Sequence, residues 1–273
     1  GQVGYSENEK YVPTAAFGTV FGDDRSRSID ELFFAELLHE ASPLEHVDSM
    51  LRLAYDEYHY YGYSPYDYSE AQDLSLVVMN QDRGVARWWT GEWQLRTDAI
   101  EKNQITVGTE YRLNSNLVLH NWDEGYEDEP YLDWKGDSDI WAIYAQDDIS
   151  LLKPLKFTGG VRYDRYDTFG GQVSPRAGLI YQPVDATTLK LAYGQAFRAP
   201  NAYELYWAQE GVAEANLDLA PETISTYELI LEQKLAKGLL LTLSGFHYRM
   251  DDLINLTADE AGVLSFQNLD EAT

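Results

Sequence analysis

The stretch AYGQAFRAPNAYELYW, residues 192–207, followed after a short interval by NLDLAPETISTYELILE, residues 216–232, decides the fold. It reads as an amphipathic strand, a long loop rich in aromatics, and a second amphipathic strand. Leu189, Leu191, Tyr193 and Phe197 fall on one face of the first strand, and Lys190, Ala192, Gly194 and Ala196 on the other. In the second, Tyr227, Leu229 and Leu231 alternate with Thr226, Glu228, Ile230 and Glu232. A period of two gives each strand one apolar face and one small or polar face. A barrel wall between hydrocarbon and a wet lumen needs this pattern.

Working outward, the same alternation recurs in about twelve segments: 11–22, 28–40, 46–60, 84–98, 104–121, 138–150, 155–168, 172–182, 187–198, 222–235, 239–256 and 263–273. It is clearest where Leu155, Phe157, Val161 and Tyr163 oppose Lys156, Thr158, Gly160 and Arg162. It is poor over 138–150 and after Gly245. ELFFAELLHE, residues 31–40, could be taken for a helix, but the Phe33, Ala35, Leu37 spacing favours a strand. Long connections are expected at 61–83, 121–137 and 198–221, and short ones at 41–45, 100–103, 151–154, 183–186 and 236–238. Short and long connections alternate, as they do in outer-membrane barrels.

Composition narrows the function classes. The 273 residues contain no cysteine, which removes disulfide, thiolate-metal and Cys-nucleophile chemistry. A formal net charge of -26 argues against nucleic acid, whose phosphates need a basic surface. Apart from solubility, such a charge can also steer cationic or metal-bearing solutes. No run of about 18 apolar residues exists, so no transmembrane helix is expected, but an alternating strand escapes that test. The 21 tyrosines and 7 tryptophans suit strands and bilayer-interface girdles. His39, His46, His59, His120 and His247 are scattered without an H-E-x-x-H pattern, and no G-x-S-x-G elbow, Walker loop or G-x-G-x-x-G occurs. The chain therefore reads as a non-enzyme with no catalytic residues, no metal centre and no resident cofactor.

Residues 197–200 (Phe197, Arg198, Ala199, Pro200), the segment Glu204, Leu205, Tyr206, and the degenerate box Asn216, Leu217, Asp218, Leu219, Ala220, Pro221, Glu222 come in the order seen in TonB-dependent outer-membrane receptors, which the chain resembles. YAQDDISLLKPLKFTGGVRYDRYDTFGGQVSPRAGLIYQP, residues 144–183, is similar to the same family, and YGYSPYDY, residues 61–68, is a weaker echo. The box departs from the family's N-P-N-L-K-P-E at Ala220, where a lysine is usual. The resemblance implies an all-β fold: an antiparallel transmembrane β-barrel, of which residues 1–273 form about 12 strands of a larger, 22-stranded plugged barrel. The plug domain and C-terminal strands are then expected elsewhere in a longer protein. It further implies a place in the outer membrane of a Gram-negative envelope, in contact with outer-membrane lipid. It implies energy-dependent import of a scarce solute, driven by the inner-membrane TonB complex through the plug segment. The cargo expected first is a ferric siderophore, then cobalamin; a passive porin or a soluble all-β ligand- or glycan-binding protein are the alternatives. Haem receptors of the family carry a histidine between the two boxes, and residues 201–215 hold none.

The expected ligand-binding residues are Arg198, Asn201, Tyr203, Glu204, Tyr206 and Trp207 in the long loop, with Tyr63 and Tyr66 in a second aromatic loop. The Arg198 guanidinium offers a planar donor fork to an anionic ligand, or pairs with Glu204 or Glu222. Tyr203, Tyr206 and Trp207 either stack on a planar ligand or pack on the rim. The carboxylates of NWDEGYEDEPYLDW, residues 121–134, could hold Ca²⁺ but lack EF-hand spacing and read equally as a solvated loop. His59 is placed in a ligand-facing loop, and Trp88, Trp89, Trp93, Trp134 and Trp141 in girdle or packing positions.

Overall fold

A computed structural model describes residues 1–15, 18–69 and 76–269. Eleven strands follow one another in sequence order in one antiparallel sheet: β1 (Gln2–Tyr11), β2 (Arg27–Leu44), β3 (Val47–Asp67), β4 (Val77–Thr97), β5 (Asn103–Asp123), β6 (Leu132–Leu152), β7 (Leu155–Tyr166), β8 (Gly170–Val184), β9 (Thr187–Arg198), β10 (Glu222–Ala236) and β11 (Leu239–Asp251). A short helix, α1 (Ala202–Tyr206), lies between β9 and β10. A separate hairpin, β12 (Leu253–Ala258) with β13 (Leu264–Leu269), closes the described residues. The meander of all neighbouring strands is that of a barrel wall.

Strands β3 to β6 run for 21 residues each, about twice the 9–11 residues that a tilted strand needs to cross a bilayer. The excess length lies at the end where the connections are long. At the other end the turns are minimal, such as Glu45-His46 and Lys237-Gly238, with His46 at φ 64 and Gly238 at φ 82. Both turns therefore use left-handed backbone, which Gly adopts without strain.

The sheet's two faces differ as the alternation predicts. Leu37, Leu53, Trp93, Ile143, Val161, Leu191 and Leu229 lie on one face, each 48–66% exposed. An uninterrupted exposed apolar band of this size suits hydrocarbon and not water. The opposite face is polar and cross-linked. Arg52 pairs with Glu36 at 2.6 Å, Tyr144 donates to Glu92 at 2.8 Å, and Arg162 bridges Glu110 at 3.3 Å and Asp164 at 2.8 Å.

Several expectations need correction. Residues 12–26 hold no strand among those described; the first strand is β1, earlier in the chain, and Ala16 and Phe17 lie outside the described residues. Two glycines at positive φ, Gly18 and Gly22, break any extended run there. Segment 239–256 is two strands, because Asp252 turns at φ 57 and β12 leaves the large sheet. Strands take 61–67 and 77–83 of the loop expected at 61–83, with β3 continuing through Tyr61, Tyr63 and Tyr66, and the loop expected at 121–137 shrinks to 124–131. Tyr63 and Tyr66 are thus strand residues of β3. His59 lies on β3 too, facing Glu57 at 2.8 Å. Residues 270–273 of the last expected strand, and 70–75, lie outside the described residues. Residues 31–40 are a strand as read. The blurred period over 138–150 has a simple source: Ile140 and Ala142 stand opposite Trp141 and Ile143, so both faces of β6 are apolar there.

Candidate functional site

Asn201 follows Pro200 and caps α1. Its side chain accepts from the Glu204 amide at 2.9 Å, and the Glu204 carboxylate accepts from the Asn201 amide at 2.8 Å. This reciprocal capping box explains why five residues suffice to hold a helical turn. The same Glu204 oxygen accepts from Arg198 Nη1 at 2.9 Å, and Arg198 Nε donates to Glu222 at 2.6 Å. The other Glu222 oxygen accepts from the Ile254 amide at 2.8 Å. One guanidinium thereby ties the end of β9 to α1 and to the start of β10, and Glu222 extends the tie to β12. Arg198 is paired with both carboxylates that the sequence offered it, through charge-assisted bonds from Nη1 and Nε.

The Asn216–Glu222 box is a seat for the β12–β13 hairpin. The Asn268 amide donates to the Ala220 carbonyl at 2.9 Å and accepts from the Ala220 amide at 2.8 Å, and Asn216 donates to the Phe266 carbonyl at 2.8 Å. Leu205, Leu219 and Ile254 close over one another as a small buried core, with Tyr206 and Phe266 packed against it. No lysine is needed at Ala220 for this arrangement, since backbone atoms make the contacts.

Two aromatics of the loop come together, and the third finds its partner elsewhere. Tyr203 and Trp207 stack at 5.4 Å between ring centroids, and Phe266 meets both edge-on at 5.9 and 6.1 Å. Tyr206 stacks on Trp134 of β6 at 4.1 Å. Gly136 makes room for that indole; a Cβ there would meet the Trp134 ring at 2.6 Å. Since β9 and β6 are three strands apart, the loop folds back over the sheet onto the face that carries Trp134, here the inner face.

Register identifies the rest of that wall. Trp134 pairs with Leu119, and Asn121 of the same β5 face pairs with Asp82, which pairs with Gly62. Tyr66, two pleats on from Gly62, shares the inner face, whereas Tyr63 lies on the outer one under the Arg27 guanidinium, 4.9 Å from its ring centroid. A slip of parity at Ser115, where β5 bulges against both neighbours, keeps polar Asn121 and Asp123 inward beyond the bulge. Asn121 donates to Asp82 at 2.5 Å, Asn80 to Asp123 at 2.9 Å, and Tyr131 to Asp123 at 2.7 Å. The Tyr203 phenol is pushed up to about 12, first by burial and then by Asp82 and Tyr66 nearby. Tyr203 of the loop thus lies within electrostatic reach of Asp82 and Tyr66 on the inner wall. The sequence reading missed the Asn80, Asp82, Asn121, Asp123 cluster and Trp134's place in the site. The polar residues Asn80 and Asp82, two apart in a strand and so on one face, were the available signal. Among the described residues no group of three or more His, Asp or Glu is placed to hold a metal ion.

The comparisons agree on the fold. A family model described as TonB dependent receptor-like, beta-barrel, matches residues 5–273. The vitamin B12 transporter BtuB of Vibrio cholerae is 26% identical over 232 residues, covering 74% of this chain and 36% of the relative. A ferric enterobactin receptor of Pseudomonas aeruginosa is 35% identical over 66 residues, 24% of this chain and 9% of that protein. Among solved structures, a variant of the ferric enterobactin receptor PfeA from Pseudomonas aeruginosa in complex with enterobactin superposes with a TM-score of 0.72 at 18% identity, over 98% of this chain and 45% of that one. The siderophore receptor PirA from Acinetobacter baumannii gives 0.70 at 18%, over 98% and 46%. At these identities the structures speak for the fold alone. The chain spans less than half the length of each of these relatives.

Proposed function

This chain belongs to the family of TonB-dependent receptor β-barrels, and we propose on that premise that it is part of an outer-membrane receptor that imports a scarce, large solute with energy from the inner-membrane TonB complex. The cargo is a ferric siderophore or cobalamin. The observation that carries this reading is the aromatic loop folded onto the inner wall at the long-loop end, with α1 clamped by Arg198 and its Tyr206 ring stacked on Trp134. A passive pore has no need of a built aromatic surface at its mouth.

The chemistry is binding, without covalent steps. Tyr203, Tyr206, Trp207 and Tyr66 present stacking faces and phenol groups to the solute. Arg198, Asn201 and Glu204 hold that surface in place. Closure of the loops over the solute is a population shift driven by tighter contacts in the closed state. A plug domain outside residues 1–273 carries the segment that meets the energising complex, and the exposed apolar band meets outer-membrane lipid.

Uptake by cells carrying the full-length gene tests this reading. Labelled ferric siderophores and cobalamin are supplied with and without the energising complex. Accumulation of one solute that depends on the complex is the expected result. Accumulation that ignores the complex, together with general leakage of small solutes, would replace the receptor with a porin.

A further inference from the structure

The inner wall beneath α1 has an unbalanced set of charges. Asp82 and Asp123 face inward, held by the side-chain amides of Asn121 and Asn80 and by the phenols of Tyr131 and Tyr68. The cations at this level are already committed within the chain. Arg198 is held by Glu204 and Glu222, and Lys10 lies 3.7 Å from Asp30, which also accepts from Tyr58. Arg112 lies over the Trp88 ring at 4.7 Å and donates to Asn114 at 3.0 Å. Arg83, next to Asp82 in sequence, sits on the outer face in register with Tyr61 and His120. Arg176 is inward-facing but deeper, beside Gly160.

At the level of Tyr66 and Tyr203 an anionic solute therefore meets carboxylates and, among the described residues, no uncommitted cation. Like-charge juxtaposition of this kind excludes wrong partners more strongly than contact area selects right ones. The long-range field has the same sign, since the chain carries a formal charge of -26. Phenols and indoles remain as the means of attraction, and they act on uncharged or cationic surfaces through stacking and hydrogen bonding.

We propose that this wall selects a solute without net negative charge, such as an uncharged ferric trihydroxamate or a corrinoid, and rejects multiply anionic ferric tricatecholates, with Asp82 as the principal discriminator. The inference rests on the import reading above and narrows its cargo. It also separates this wall from what the name of the enterobactin receptors says they bind.

The test uses the purified full-length protein, titrated with a ferric trihydroxamate, cyanocobalamin and a ferric tricatecholate at low and physiological ionic strength. Wild type is compared with Asp82→Asn, which keeps the oxygen that Asn121 donates to. The expected result is binding of an uncharged solute at least about tenfold tighter than the tricatecholate. In Asp82→Asn the gap narrows by several-fold, through a gain for the tricatecholate alone. Tightest binding of the tricatecholate by wild type would overturn the inference and leave the import reading standing. An unchanged gap in a folded Asp82→Asn protein would overturn the role of Asp82. Binding of none of the three would overturn the import reading and the inference together.

Discussion

Trp134 of β6 and Tyr206 of α1 stack with ring centroids 4.1 Å apart and planes 16° from parallel, although 72 positions separate them in the chain (206 − 134). This contact is what converts a long connection into part of the inner wall. Offset aromatic pairs contribute about 0.5–1.5 kcal/mol beyond their buried area. A double-mutant cycle with Trp134→Ala and Tyr206→Ala is expected to give a coupling energy in that range. Limited proteolysis within 199–221 should accelerate in either single variant, and little further in the double. Additive effects would mean that the rings do not support one another.

The Arg198 clamp makes a separate forecast. Glu204 is 9% exposed and accepts from both Arg198 and the Asn201 amide. Arg198→Ala strips a charged partner from a buried carboxylate, at a cost of about 1–3 kcal/mol to the loop's docked state. Adding Glu204→Gln removes the orphaned charge, so the double variant should regain part of that loss. Hydrogen exchange at the α1 amides is the measurement. Slower exchange in Arg198→Ala than in the double variant would contradict the clamp.

Much of this was legible in the sequence because it depends on local period. Lys190 against Leu191, or Glu228 against Leu229, announces a two-faced strand without any tertiary information, and β9 matches its expected bounds of 187–198. The Arg198, Glu204, Glu222 pairing was legible as an alternative because the three charges crowd one loop. What failed was the boundary between strand and loop where residues stay polar beyond the bilayer. Tyr61 to Asp67 looks like a loop, with a Pro at position 65, yet it extends β3 and pairs with β4 to Asp67↔Val77. Outside hydrocarbon nothing demands apolar alternation, so the ladder continues with no sign in the hydropathy. Trp134 on Tyr206 and Asn268 on Ala220 are long-range choices, which no local window contains. The bulge at Ser115 likewise reverses which face Asn121 occupies.

The outer band predicts an asymmetry between neighbouring residues. Leu229 is 52% exposed on the outer face, while Ile230 lies on the inner face beside the Lys190–Glu232 pair. An arginine on the lipid face near the midplane costs about 2–4 kcal/mol, whereas a lumen position tolerates charge. Leu229→Arg is therefore expected to lower the stability of the full-length barrel in lipid by that order, and Ile230→Arg by much less. Urea unfolding in phospholipid vesicles distinguishes them. Equal losses would assign the band to something other than hydrocarbon.

Tyr203 carries a pH dependence whose sign is fixed by its surroundings. Burial, with Asp82 and Tyr66 nearby, holds the phenol up to about 12 in the folded protein, against about 10 for a free tyrosine. The neutral form is thus favoured by folding. Its contribution to the docked loop is complete below pH 10, where both states are neutral. It falls away as pH rises from 10 towards 12, because the undocked phenol ionises first. Absorbance titration at 295 nm should show a tyrosinate component near 12 in wild type that is missing from Tyr203→Phe. Protection of the loop from proteolysis should fall between pH 10 and 12 in wild type, and by less in Tyr203→Phe, which keeps the ring stacked on Trp207 without an ionisable group. A Tyr203 component titrating near 10 would place the phenol in open water, away from Asp82 and Tyr66, and would take the loop off the inner wall.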